Sequence, residues 1–222
     1  MATRTRKQTE SEAALKARVL AAALPHIVFD GFTDKVLAGA AKEAGVAKDA
    51  LARLFPGGPP GLVEAFSDDA DAAMAARLAA LDLTAMKIRA RIAAAVMARI
   101  DALRPHKEAA RRAAAFLTLP PHAGLGTRLV WRTVDAMWRA AGDTSTDFNF
   151  YTKRAILGAV YTSTLMRWFT DTGPDESETT AFLARRIENV MAFETFKAQA
   201  KEAAARLPSL AEVLGALRVK RG

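Results

Sequence analysis

The chain has 222 residues, half of them hydrophobic and a quarter charged, with a net charge of +8 and no cysteine. That length suits one large domain or two small ones, with a core that needs no covalent staple, and the missing thiol excludes disulfides, thiolate metal sites and cysteine nucleophiles. The positive surplus fits nucleic acid, an anionic membrane surface or simple solubility, and no apolar run reaches the ~18 residues of a membrane span or follows the basic N-terminus as in a secretory signal.

Alanine, the best helix former, supplies more than a fifth of the residues, and no segment shows defensible period-two alternation, so the class is all-α. After a flexible stretch over 1–10, a first helix is expected from Ser11 to Leu24, ended by Pro25, with His26 to Gly31 as a loop. Thr33 is the N-cap of a short helix to Ala44, and Gly45 is its left-handed terminator. A third helix, Ala47 to Leu54, stops at Phe55-Pro56-Gly57-Gly58-Pro59-Pro60, where a domain boundary is placed. The spacing of Ala40, Ala41, Ala44, Gly45, Val46, Leu51, Leu54 and Phe55 gives residues 11–58 the form of a helix-turn-helix unit.

Residues 59–205 read as a larger bundle. Helices are expected near Gly61 to Leu78, Thr84 to Leu103 (Ile88, Ile92, Val96 and Ile100 at i+4 steps), from Pro105 to about Leu119, and from Ala123 to Ala141 with Gly142 as terminator. Thr144 to Asp147 has the form of a capping box opening the next helix. That helix is apolar nearly all round from Ala155 to Phe169, which predicts a buried central helix. Gly173-Pro174 precedes a helix from Glu176 to Ala204. A final helix over 206–222 carries Leu207, Leu210, Val213, Leu214 and Leu217 as a stripe, closed by Arg218, Lys220 and Arg221. Such a stripe suits an anionic membrane interface or packing against the bundle or a dimer mate.

Little in the sequence offers catalysis. The three histidines, His26, His106 and His122, fall in no Glu-x-x-His or His-x-x-x-His pair, so no metal or other cofactor is expected. His106 reads as a helix-start hydrogen-bonding residue and the other two as loop residues. Asp143 and Asp147 read as capping groups, and Ser145 has no base at a motif distance. An enzyme is therefore the weakest reading. Of Phe148, Phe150 and Tyr151, one should point outward, as suits a partner surface. Three short helices before a helical bundle resemble the TetR-type architecture. A DNA-binding regulator with an apolar ligand pocket is thus the rival reading, although Ala47 to Leu54 offers only Lys48 and Arg53 against Asp49.

The run Trp138-Arg139-Ala140-Ala141-Gly142-Asp143 through Phe148-Asn149-Phe150-Tyr151-Thr152-Lys153-Arg154 resembles the signature of the Coq-nine family of ubiquinone (coenzyme Q) biosynthesis proteins. Ala23-Leu24-Pro25-His26, Phe29-Asp30-Gly31-Phe32, Leu54-Phe55-Pro56, Pro105-His106-Lys107-Glu108 with Arg111-Arg112, and Arg185 to Met191 extend the likeness over nearly the whole chain. The resemblance implies a TetR-like fold and a non-enzymatic, lipid-binding accessory protein that presents an isoprenoid quinone or other lipid to the di-iron demethoxyubiquinone hydroxylase. It implies a lipid pocket in the bundle, for which Trp131, Trp138, Leu157, Tyr161, Leu165, Trp168 and Phe182 are the candidate lining. It also implies a partner patch on Met137, Asp147, Phe150 and Tyr151, and membrane contact through the terminal helix. Phe150 stands where the family often has tryptophan, so an aromatic ring is kept and an indole N–H donor lost. A homodimer without specific nucleic-acid binding is expected. Its place would be the inner face of the bacterial cytoplasmic membrane, or the matrix side in a mitochondrion.

Overall fold

A computed structural model describes residues 2–146 and 148–205. Its first helix, α1 (Ala2–Asp30), begins earlier than the sequence suggests, and it ends later because it passes through Pro25. Pro25 lies on the exposed side, while Val19, Ala23 and Ile27 on the opposite face are fully buried. A proline inside a helix costs about 3 kcal/mol. Burying a side chain such as Ile27 stabilises by about 1.5–3 kcal/mol, which is enough to carry the helix on. The helix stops at Gly31, whose φ of 68° and N–H to the Ile27 carbonyl (2.9 Å) make the turn. His26 is therefore helical, and its Nε2–H donates to Glu43 at 2.9 Å.

Thr33 caps α2 (Asp34–Glu43), its hydroxyl accepting from the Val36 N–H at 3.3 Å. Gly45, with φ 66°, lets the Val46 N–H return to the Ala41 carbonyl at 2.8 Å, which satisfies the helix end. The short α3 (Lys48–Leu54) packs on α1 and α2 through Leu54, with Phe55 buried beyond it. Helix α4 (Pro59–Ala79) starts on a first-turn proline and packs against α1, α5 (Ile88–Leu103) and α7 (Ala123–Ala140). The predicted start of α5 at Thr84 is replaced by a separate 3-10 turn, Leu83–Ala85, capped by Asp82. Ile88, first of the apolar stripe, is consequently exposed, while Val96 and Ile100 are fully buried.

Helix α6 (Lys107–Thr118) follows the 3-10 turn Arg104–His106; His106 occupies its N-cap position but makes no side-chain cap bond. His122 stacks on Phe116, with ring centroids 4.1 Å apart. Helix α8 (Phe148–Thr170) opens at Phe148 rather than Thr144, because Asp143 and Ser145 are held by other partners described below. It is not buried all round. Leu157, Val160, Tyr161, Thr164 and Trp168 face the core, whereas Ala155, Ala159 and Met166, the last 48% exposed, do not. Its apolar composition thus serves two faces, only one of them covered within the chain. Helix α9 (Ser177–Ala205) packs on α8 and α5. Among the described residues there is no strand, and no helix is long and apolar enough to cross a membrane.

Candidate functional site

The α7–α8 junction brings the signature residues together. Gly142, at φ 89°, ends α7, and the Asp143 N–H bonds back to the Trp138 carbonyl at 3.0 Å. This turn places the Asp143 carboxylate within reach of α8. It accepts from Ser145 Oγ (2.8 Å), Lys153 Nζ (2.8 Å) and Arg154 Nη1 (3.1 Å). Burial alone would raise its pKa, but the bonds from Lys153, Ser145 and Arg154 outweigh burial and hold it down at about 2. Arg154 is itself buried and also donates to Asp135 on α7 (2.7 Å) and to the Phe150 carbonyl. Trp138 Nε1 donates to the Lys153 carbonyl at 3.1 Å. The arrangement is a structural lock between two helices. A carboxylate satisfied by two cations and a hydroxyl has no free basicity for proton transfer.

The lock holds a cluster of rings at the surface. Trp131 lies 6.0 Å from Tyr151 and 6.3 Å from Phe150, and Phe150 meets Tyr151 edge-on at 5.1 Å. The Arg154 guanidinium covers the Phe150 ring at 3.4 Å. Tyr151 is the outward ring, 60% exposed. Met137 is completely buried, so it is corrected from a patch residue to a core residue: its position on α7 faces the core. Asp147 lies outside the described residues, as do Leu207, Leu210, Val213, Leu214, Leu217, Arg218, Lys220 and Arg221.

The proposed pocket lining does not share one cavity. Trp131, Tyr161 and Leu165 line a cavity of about 760 Å³ between α4, α5, α6, α7 and α8. Trp138 and Leu157 line a separate groove of about 340 Å³ between α5, α7, α8 and α9, with Ile92, Ile187 and Val190. Phe182 sits in a shallow charged hollow with Arg167 and Arg185. Trp168 is fully buried and lines none of these cavities. Its Nε1 donates to Glu176 at 2.7 Å and Lys107 lies over its ring, so it joins α6, α8 and the start of α9. Helix periodicity put these residues on inward faces without telling which gap each face meets. A further hollow of about 810 Å³ beside α1 and α4 carries Lys16, Glu64, Asp68, Asp69 and Arg128 among apolar residues such as Leu20, Leu54 and Leu125.

The larger apolar cavity has one feature the sequence reading missed. Ser67, Arg99 and Thr133 lie on its inner wall, among Val63, Phe66 and Leu103. Arg99 is only 3% exposed. Its Nη2 donates to Ser67 Oγ at 3.1 Å, and its Nε lies 3.4 Å from Asp71. Nothing marks Arg99 in the sequence except a cation at a position where the α5 stripe should be apolar. Among the described residues no group of carboxylates and imidazoles could hold a metal ion.

Residues 123–194 match the COQ9 protein family. The chain is 33% identical over 189 residues to the mitochondrial ubiquinone biosynthesis protein COQ9 of Bos taurus and 32% identical to that of Homo sapiens. Each match takes in 82% of this chain and 59% of the relative, so the chain spans about three fifths of the length of these relatives. The mitochondrial coq9 of Schizosaccharomyces pombe is 26% identical, with 73% of its length covered. In fold the chain is similar to a TetR transcriptional regulator from Nitrosomonas europaea, with TM-score 0.63 and 18% identity over 79% of this chain and 97% of that one. The all-α, TetR-like architecture and the kinship to COQ9 ubiquinone biosynthesis proteins, both read from the sequence, are thus shown.

Proposed function

We propose that this relative of the COQ9 ubiquinone biosynthesis proteins is a non-enzymatic accessory factor that encloses an isoprenoid lipid and presents it to the di-iron demethoxyubiquinone hydroxylase. The observation that carries the reading is the cavity of about 760 Å³ walled largely by Val, Leu, Phe and Ala side chains. Its volume is that of a small-molecule site, and apolar burial at ~25 cal/mol per Å² gives a polyprenyl chain a driving force to enter. The exposed Tyr151, backed by Trp131 and Phe150, is the aromatic surface on which the hydroxylase docks. The terminal segment over 206–222 contacts anionic lipid, keeping the protein peripheral at the inner face of a bacterial membrane. The apolar surface that the two long late helices, α8 and α9, leave uncovered pairs two copies into a homodimer.

The test is mass spectrometry of lipids extracted from the purified protein and from Gly158→Leu. Gly158 lies on the cavity wall, and a Cβ there meets only Val130 at 3.6 Å, an ordinary contact. The larger side chain should therefore fill space without unfolding the helix. Isoprenoid quinone in the parent and its loss in the variant are expected. Equal lipid in both, or none in either, rejects the cavity as the lipid site.

A further inference from the structure

The corner between α8 and α9 carries Glu176 at φ 48°, the one side-chain-bearing residue at positive φ among the described residues. An L residue other than Asn or Asp takes that backbone at a cost, and it persists only where the surroundings over-determine it. Here they do. Glu176 Oε1 accepts from Trp168 Nε1 at 2.7 Å, and Oε2 lies 2.9 Å from the Arg104 guanidinium. Lys107 Nζ is 3.9 Å from the carboxylate and donates to the Asp171 carbonyl at 2.7 Å. The carboxylate thus ties the corner to α8 on one side and to the α5–α6 junction on the other. Glycine would make the same turn without strain, so glutamate stands there for what its carboxylate holds.

Glu176 directly precedes α9, so its φ sets the direction in which that helix leaves the corner. Beyond the corner α9 is held lightly. Asp171 caps its first turn, accepting from the Thr179 N–H at 2.8 Å and the Thr179 hydroxyl at 2.7 Å. Among the described side chains of α9, Thr179 and Leu183 are buried, and Ile187 and Val190 are half-buried. Ile187, Val190 and Met191 form one wall of the groove whose other wall is Ile92, Trp138 and Leu157. Ile88 and Met191, on the lips of that groove, stay 45% and 42% exposed. The helix meets the fixed wall without sealing against it, so little apolar burial opposes a swing.

The corner also has a second arrangement within reach. Arg104 pairs with Asp101 at 2.6 Å as well as with Glu176, and its side chain is half exposed. Released from Glu176, the guanidinium keeps Asp101. The Trp168 indole N–H alone loses an acceptor, which keeps the released state the minor one. We infer that Glu176 is a conformational latch: its carboxylate holds a strained backbone, and letting go relaxes φ and re-aims α9. The swing opens the groove between α5, α7, α8 and α9 and redirects the segment that follows the helix. Trp168 and Arg104 are its positioning residues. The device does not depend on what the larger cavity binds.

The chain has no cysteine, so two introduced cysteines carry the only spin labels. Ala90→Cys with Glu188→Cys spans the groove, and Ala75→Cys with Ala90→Cys is the control pair on α4 and α5; all three positions are exposed. Double electron–electron resonance is recorded on full-length labelled chain diluted into excess unlabelled chain, so that each distance lies within one copy. The parent should give one narrow distance for each pair. Glu188 lies about 18 Å along α9 from the corner at ~1.5 Å per residue, so Glu176→Ala, which keeps the strain and loses the latch, should shift the groove distance by at least about 5 Å for a swing of roughly 20°. Glu176→Gly removes the strain along with the latch and should stay close to the parent. A corner that only adds stability gives the reverse order, glycine being the more disordering residue. Arg104→Gln leaves residue 176 intact and should add a second, displaced population, and it decides the matter where Glu176→Ala does not fold. Unchanged groove distances in Glu176→Ala or Arg104→Gln, a larger displacement in Glu176→Gly than in Glu176→Ala, or an equal change in the control pair overturns the latch.

Discussion

Asp143 and Arg154 together show how a pair of charges can serve architecture rather than chemistry. Both are buried, and each has more than one partner, so neither is left uncompensated. Removing one member of such a pair typically costs about 3–5 kcal/mol, because the other charge stays buried. Asp143→Asn should therefore lower the unfolding free energy by about 3 kcal/mol in urea denaturation, with Asp135 retaining part of Arg154. The pH dependence has a definite sign. A carboxyl held at about 2 in the folded state, below its ordinary value of 3.8, contributes stability in full above about pH 4. That contribution drains away as pH falls from about 4 toward 2. Asp171, held low by its bonds from Thr179 despite the opposing effect of burial, acts in the same direction. Acid denaturation of the parent should be steep in that window, and Asp143→Asn should show a shallower slope there. An unchanged slope would mean that Asp143 does not carry the effect.

At the scale of elements, α1 and α8 both depart from their local signals: burial explains the first, and the bonds that hold Asp143 and Ser145 explain the late start of the second. In α1 the exposed Pro25 works against the helix and the buried Ile27 outweighs it. Pro25→Ala restores a backbone donor and should stabilise the chain by about 1–2 kcal/mol, once the added freedom of the unfolded chain is subtracted. A lower urea midpoint in that variant would show that the proline is needed where it stands. In α8 the first turns hold the ring cluster. Tyr151→Ala removes a side chain that is mostly in solvent, so its stability should stay within about 0.5 kcal/mol of the parent. On the proposed docking role, its affinity for the hydroxylase should fall about tenfold or more, as for an aromatic interface anchor. Surface plasmon resonance with the purified hydroxylase checks this, and an unchanged affinity moves the docking face elsewhere.

For the whole molecule, the question is what a TetR-like chain does with its first three helices. The exposed side of α3 presents Lys48, Asp49, Ala52 and Arg53, two cations and an acid without Asn or Gln. Such a face has little with which to read base edges. Binding to any defined operator should vanish by ~200 mM salt in a footprinting assay, since only phosphate contacts would hold it. A footprint surviving that salt would restore the regulator reading. The terminal segment makes an opposite prediction. Among the described side chains of α9, Leu183 is the last buried in the core, with Ile187 and Val190 packed beside it. A chain ended at Arg206 should keep its fold and lose flotation on anionic vesicles, while the full chain floats. Equal flotation of the two, or none of the full chain, removes the membrane role.

The sequence by itself determined the class, the order of helices and most of their ends, because these depend on local chemistry. Alanine content, the Thr33 cap and the Gly45 and Gly142 terminators act within a few residues along the chain. The COQ9 kinship was legible for the same reason, being carried by contiguous strings around Gly142, Asp143, Lys153 and Arg154. Periodicity also showed which faces turn inward. It could not show which neighbours those faces meet, so one imagined pocket became a cavity, a groove, a shallow hollow and the fully buried Trp168, and Met137 moved from the surface to the interior. Arg99 went unnoticed for a related reason. Its meaning comes from Ser67, 32 residues away, and from a cavity formed by five helices. Burial and charge balance are properties of the packed molecule, and only the tertiary structure decides them.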